Sequence, residues 1–239
     1  MDVKIVKVRI SESITERAIY IAIGVDLGGN KFVLDYEVRD REDLDGWKSF
    51  LGGLVSRGVR VDVIVSHDFS GLDRVVSTLF PSSQHQLCIT HVVSLMRVLP
   101  DKEEELIRVR DLKSSRNVGE GRLYCPSANL SNPFLQPEPR GFSTLLTSTV
   151  PFSTSPGRLD TTSTLITRSE SFNSTPARFE EELGGYFPSL RSLEVYLYVS
   201  IHESDSRWKF RPMSVIRHHS YHLKQLHASR FQVSLDEDF

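Results

Sequence analysis

With 239 residues, 39% of them hydrophobic and 25% charged, the chain can bury a real core as one large domain or two small ones, and its composition is ordinary for a soluble protein. A formal net charge of -2 excludes a global attraction for nucleic acid, so such affinity has to come from a local patch or from a part of the protein that lies elsewhere. The absence of an apolar run of about 18 residues and of a secretory signal predicts neither a membrane span nor export, and two cysteines, Cys88 and Cys125, are too few for a disulfide framework, which fits a reducing compartment.

Residues 2–10 alternate as a half-buried strand does, and Ser11 to Arg17 read as a polar turn. Ala18 to Asp26 form a near-continuous apolar strand, and Gly28-Gly29-Asn30 turn the chain into a third strand, Lys31 to Arg39. Hairpin connections make these an antiparallel meander. The acids from Glu42 to Asp45, with apolar Leu44, Trp47, Phe50, Leu51 and Leu54, predict a helix with carboxylates in its first turn, closed by Gly58. Val59 to Ser66 is a valine-rich buried strand. A helix over Gly71 to Leu79, stopped by Pro81, precedes a strand over Gln84 to Thr90 and a longer helix over Val92 to Leu112.

From Leu123 to Ser169 the pattern breaks. Ser, Thr, Pro and Leu dominate, the charged residues are Glu138, Arg140, Arg158, Asp160 and Arg168, and no helical or alternating period is sustained. Unpatterned stretches inside compact domains seldom exceed about 12 to 15 residues. Disorder is the structural expectation, and a shifted reading frame between two patterned blocks would produce the same composition. The expected organisation is 1–120 as the first part of a core, 121–169 as a degenerate insertion, and 170–239 as an acid-bearing helix followed by a basic segment.

Chemistry is suggested by three carboxylates. Asp2 opens the first strand, Asp68 follows the apolar strand ending at Ser66, and Glu170 lies far downstream in Glu170-Ser171-Phe172-Asn173. Carboxylates delivered by two strands and a distant helix suit a phosphoryl-transfer site holding two hard cations about 3.5 to 4 Å apart, as in a nuclease or transposase core. Two carboxylates about 4 Å apart repel by roughly 4 kcal/mol at an effective dielectric near 20, so a metal is the natural neutraliser. Each acid has a plainer reading too: Asp2 as a solvated terminus, Asp68 as the cap of the helix beginning near Gly71, Glu170 as a surface acid.

Cys88-x-x-His91 invites a zinc reading, with His67 and His85 as further candidates, but it lacks a second ligand pair and reads as structural. The group His218, His219, His222 and His227 reads as part of a basic face. Between Arg207 and Arg230 the basic residues Arg207, Lys209, Arg211, Arg217, Lys224 and Arg230 occur with no Asp or Glu among them, and Trp208, Phe210 and Tyr221 are interleaved. Such a segment can neutralise phosphates while its aromatics stack or pack; the alternative is a solvated helix face.

Asp2 through Arg9, Val65-Ser66-His67-Asp68-Phe69-Ser70-Gly71-Leu72, the run from Phe80-Pro81 to Gln86-Leu87-Cys88-Ile89-Thr90-His91, and Gly184-Gly185-Tyr186-Phe187-Pro188-Ser189 together resemble the Mutator-type transposases of prokaryotic insertion sequences, especially archaeal ones. The resemblance covers about 1–120 and 170–232. It implies an α/β, ribonuclease H-like mixed five-stranded sheet flanked by helices, matching the order βββαβαβα, with strand one beside the end of strand four. It implies a DDE transposase that cleaves and transfers insertion-sequence DNA with Mg2+ or Mn2+, binds insertion ends and target DNA, is homo-oligomeric when intact, and works in the cytoplasm at the nucleoid. Asp2, Asp68 and Glu170 would be catalytic and, with His67, would hold metal; Cys88, His91 and Asn173 match motif positions.

Two departures bear on activity. The family's first aspartate lies well inside its chain and here is residue 2, as in a copy lacking its N-terminal third. The family's second aspartate falls in register with His67, with Asp68 one residue on, and imidazole is a poor substitute where magnesium wants hard oxygens. The alternative expectation is therefore a catalytically inactive, nucleic-acid-binding remnant.

Overall fold

The computed structural model describes residues 1–88, 179 and 181–233. Strands β1 (Asp2–Ile10), β2 (Ser13–Val25) and β3 (Lys31–Arg39) form an antiparallel sheet in the order β1-β2-β3. The first hairpin is tighter than the sequence suggests. Ile10 pairs with Ser13, and Ser11 sits at φ 55, so the polar stretch from Ser13 to Arg17 is strand rather than turn. Its Ile14 and Thr15 are β-branched and sit opposite Arg9 and Val8, which favours the extended state over the local preference of Ser and Glu for a turn.

The apolar run in β2 has a simple cause: both its faces are covered. Ala18, Tyr20 and Ala22 pack against helix α1 (Leu44–Ser56) and helix α2 (Leu72–Leu79), through Trp47, Phe50, Leu51, Leu54, Leu72, Val75 and Val76. Ile19 and Ile21, with Val6 and Val8 of β1, pack on the other side against Phe187, Leu193, Leu197 and Trp208. In α1 the buried Trp47, Phe50, Leu51 and Leu54 recur at helical spacing, and Asp43 caps the helix by accepting from the Gly46 amide at 2.7 Å.

The chain returns to the sheet through Gly184 and Gly185, at φ 88 and 94, a region open to glycine at little cost. Phe187 then pairs with β1 in parallel: its amide donates to the Lys7 carbonyl (2.7 Å) and its carbonyl accepts from the Arg9 amide (2.8 Å). Helix α3 (Leu190–Trp208) starts there, capped by a reciprocal Ser189–Ser192 pair, and lays Leu193, Leu197, Ser200, Ser204 and Trp208 on the sheet. Short helices α4 (Ser214–His218) and α5 (Ser220–Phe231) follow.

Strands β4 (Val63–Ser66) and β5 (Gln84–Leu87) pair in parallel as a separate two-stranded sheet. The expected single five-stranded sheet is thus corrected to three strands plus two among the described residues. The sheets do meet: the Met1 nitrogen donates to the Val65 carbonyl at 2.7 Å, placing the start of β1 beside the end of β4. The expected first half of β4 is not strand; Asp62, just before it, accepts from the Gln84 amide as the parallel pairing requires and turns its side chain to the C-terminal helix. The helix expected over 92–112, the segment 121–169, and His91, Glu170 and Asn173 lie outside the described residues.

Candidate functional site

The start of β1, the end of β4 and the entry to α1 bring three titratable side chains together. The Asp2 carboxylate stands 3.3 Å from Nδ1 of His67, and Glu42 Oε1 stands 2.8 Å from its Nε2. All three are largely buried, with side-chain exposures of 14% for Asp2 and His67 and 20% for Glu42. The same Glu42 oxygen accepts from the Trp47 indole Nε1 at 2.9 Å, and the Trp47 and His67 rings lie 5.9 Å apart. Asp2 Oδ1 also accepts from the Val3 amide at 2.9 Å. Burial alone would lower the His67 pKa, but its contacts with Asp2 and Glu42 outweigh burial and raise it from 6.5 to about 9. The ring is an imidazolium at neutral pH.

The backbone beneath His67 is fixed by a second chain of contacts. Ser66, fully buried, donates its hydroxyl to the His67 carbonyl (2.9 Å), and His85 Nε2 lies 2.9 Å from the same hydroxyl. Ser66 has one proton to give, so His85 is the donor of that pair and Ser66 is not an activated nucleophile. Burial holds the His85 ring below its ordinary pKa, consistent with a neutral ring. Cys88, also buried, donates its amide to the Ser66 carbonyl at 2.7 Å, which continues the pairing of the two strands.

Of the expected site residues, Asp2 and His67 are brought into direct contact, and Asp68 follows His67 at the mouth of the loop from β4 to α2. Glu170 lies outside the described residues, as do His91 and Asn173. Among the described residues no three His, Cys, Asp or Glu side chains converge as a set able to hold a metal ion. Glu42 and Trp47 are the members that sequence reasoning missed. Glu42 reads as an ordinary acid ahead of a helix, and its partner His67 is 25 positions away.

The basic segment divides. Arg207, Lys209, Arg211 and Arg217 are exposed, as are Phe210 (82%) and Tyr221 (67%). Trp208 is buried in the core beneath α3, with Lys31 over its ring. Lys224 is half-buried. Arg230 is spent internally: it donates to the Asp62 carbonyl at 2.7 Å, beside His227, whose Nδ1 lies 2.7 Å from the Asp62 carboxylate. These two contacts fasten α5 to the start of β4. Of the remaining histidines in the group, His218 faces the Ser214 carbonyl at 2.6 Å. No helix among the described residues is long and apolar enough to cross a membrane.

The family model described as "Transposase, Mutator family" matches residues 1–210. The transposase for insertion sequence element ISRM5 of Rhizobium meliloti is 31% identical over 126 residues, covering 51% of this chain and 32% of that protein. A probable transposase for an insertion sequence element of Corynebacterium diphtheriae is 34% identical over 94 residues, 39% of this chain and 27% of its own length. The transposase for IS905 of Lactococcus lactis is 31% identical over 81 residues, 34% of this chain and 21% of its own. The chain therefore spans about a third or less of these relatives. With the family model covering residues 1–210, most of the sequence, the chain belongs to the Mutator family of transposases.

Proposed function

We propose that this chain acts in the transposition of insertion-sequence DNA, contacting DNA phosphates through the exposed Arg207, Lys209, Arg211 and Arg217. The family match over residues 1–210 carries this reading. The open basic residues beside exposed Phe210 and Tyr221 support it, because such a surface offers phosphate neutralisation together with rings on which bases can stack.

The reaction expected of a DDE core is strand cleavage by water followed by attack of the freed 3′-hydroxyl on target DNA. Two divalent ions would supply charge stabilisation for the attacking and leaving oxygens. The described residues do not fit such a pair. At the position of the second acid stands an imidazole whose two nitrogens face carboxylates, where magnesium wants open, hard oxygens. The polypeptide by itself is a DNA-contacting member of the family that does not cut.

A duplex carrying the insertion end, titrated by fluorescence anisotropy without divalent ions across a salt series, tests the reading. Four phosphate contacts give a slope of log K against log salt of about -3.6, at roughly 0.9 per contact. A slope near zero, or one unchanged when the four residues are replaced by alanine, would remove the DNA-contact reading. A second reading, in which Asp68 serves as the second acid, draws on its place one residue beyond His67. Magnesium-dependent nicking by the wild type that disappears in Asp68→Asn would establish it.

A further inference from the structure

We propose that this centre takes no divalent ion at Asp2: the His67 ring fills the space between Asp2 and Glu42 with a nitrogen facing each carboxylate, so neither is open to a divalent ion. The inference rests on the transposition reading only in that such a core would otherwise be expected to bind metal at Asp2. Carboxylates accept hydrogen bonds and do not donate them, so a ring set between two of them has an acceptor on each side. The contacts are 3.3 Å on the Asp2 side and 2.8 Å on the Glu42 side.

Glu42 is the positioning residue. Its Oε1 is fixed by the Trp47 indole at 2.9 Å, and Trp47 is fully buried, so the ring is oriented from a rigid wall of α1. Ser66 and His85 hold the backbone below it. Asp2, for its part, already accepts from the Val3 amide and faces the ring. An ion bound to Asp2 would have to displace the imidazole or share the carboxylate with it, and magnesium gains little from nitrogen in exchange.

Manganese(II) serves as the probe. Free Mn2+ is followed by electron paramagnetic resonance while it is titrated into the wild type, Asp2→Asn, and His67→Asp. The wild type and Asp2→Asn should bind Mn2+ alike, and His67→Asp should gain a site at least tenfold tighter than the wild type shows. Binding in the wild type that Asp2→Asn abolishes would overturn the proposal, as would a His67→Asp protein that folds and gains nothing. A measurement on the wild type alone guards against variants that do not fold: Mn2+ should leave the His67 ring resonances sharp, and selective broadening of them would overturn it. DNA affinity without divalent ions is measured separately, so failure here leaves the transposition reading standing, and failure there leaves this one.

Discussion

The cluster at the head of β1 and the basic segment at the end of the chain both concentrate charge, and they use it in opposite ways. In the first, Asp2, Glu42 and His67 are mostly withdrawn from water and satisfied within the fold. In the second, Arg207, Lys209, Arg211 and Arg217 stay in solvent, while Arg230 and His227, the members that reach the core, are used to fasten α5 to Asp62. Charge sealed into a core orders the backbone; charge left outside is available to a partner. Substitutions in the two regions should therefore separate, with stability responding to one and DNA affinity to the other.

The largest effect is expected from Trp47→Ala. It empties a fully buried indole site between Tyr20 and Phe50 and takes from Glu42 the indole donor that fixes it, for a loss of about 3 to 5 kcal/mol in denaturant unfolding. A loss under about 1 kcal/mol would mean that the cluster has no rigid wall. Next comes the pH dependence. His67 has its folded pKa raised to about 9 against 6.5, so its contribution is fully present below about pH 6.5 and is lost as pH rises through about 9. At about 1.36 kcal/mol per unit this is on the order of 3 kcal/mol, read as a fall in stability between pH 6.5 and 9 that His67→Gln should flatten. A wild-type profile no steeper than that of the variant would contradict the imidazolium.

Gly46→Ala should cost about 1 to 3 kcal/mol, because a Cβ there collides with the Tyr20 hydroxyl, which accepts from the Asp43 amide at the cap of α1. Thermal unfolding at matched pH measures it, and an unchanged midpoint would show that the cap can shift. The smallest stability effect belongs to the other region. Arg217→Ala should stay within about 0.5 kcal/mol of wild type while lowering the DNA salt slope by roughly 0.9. A destabilised protein with unaltered DNA binding would reverse the contrast.

Much of this was legible where the cause is local. β3 matches its sequence pattern, and α1 and α2 fall within a residue or two of theirs, because periodic apolar residues and the Asp43 cap act within a few positions. The adjacency of Asp2 and His67 was legible as well, through strand order. What escaped depends on distant partners. The Asp62 carboxylate meets a helix about 165 positions on, and Glu42 is given its meaning by His67 and Trp47 rather than by its neighbours in sequence. Trp208, interleaved with basic residues, reads as a stacking aromatic but is claimed by the second core. A local pattern reports which face an element buries; it does not report which charge will be met across the fold.

The protonation of His67 is tested most directly by nitrogen-15 resonance of its imidazole across pH 5 to 10. Both ring nitrogens should carry protons at pH 7 and titrate together near 9, and Glu42→Gln should bring that midpoint down toward 6.5. A single protonated nitrogen at pH 7, or a midpoint that Glu42→Gln leaves unmoved, would contradict an imidazolium held between Asp2 and Glu42.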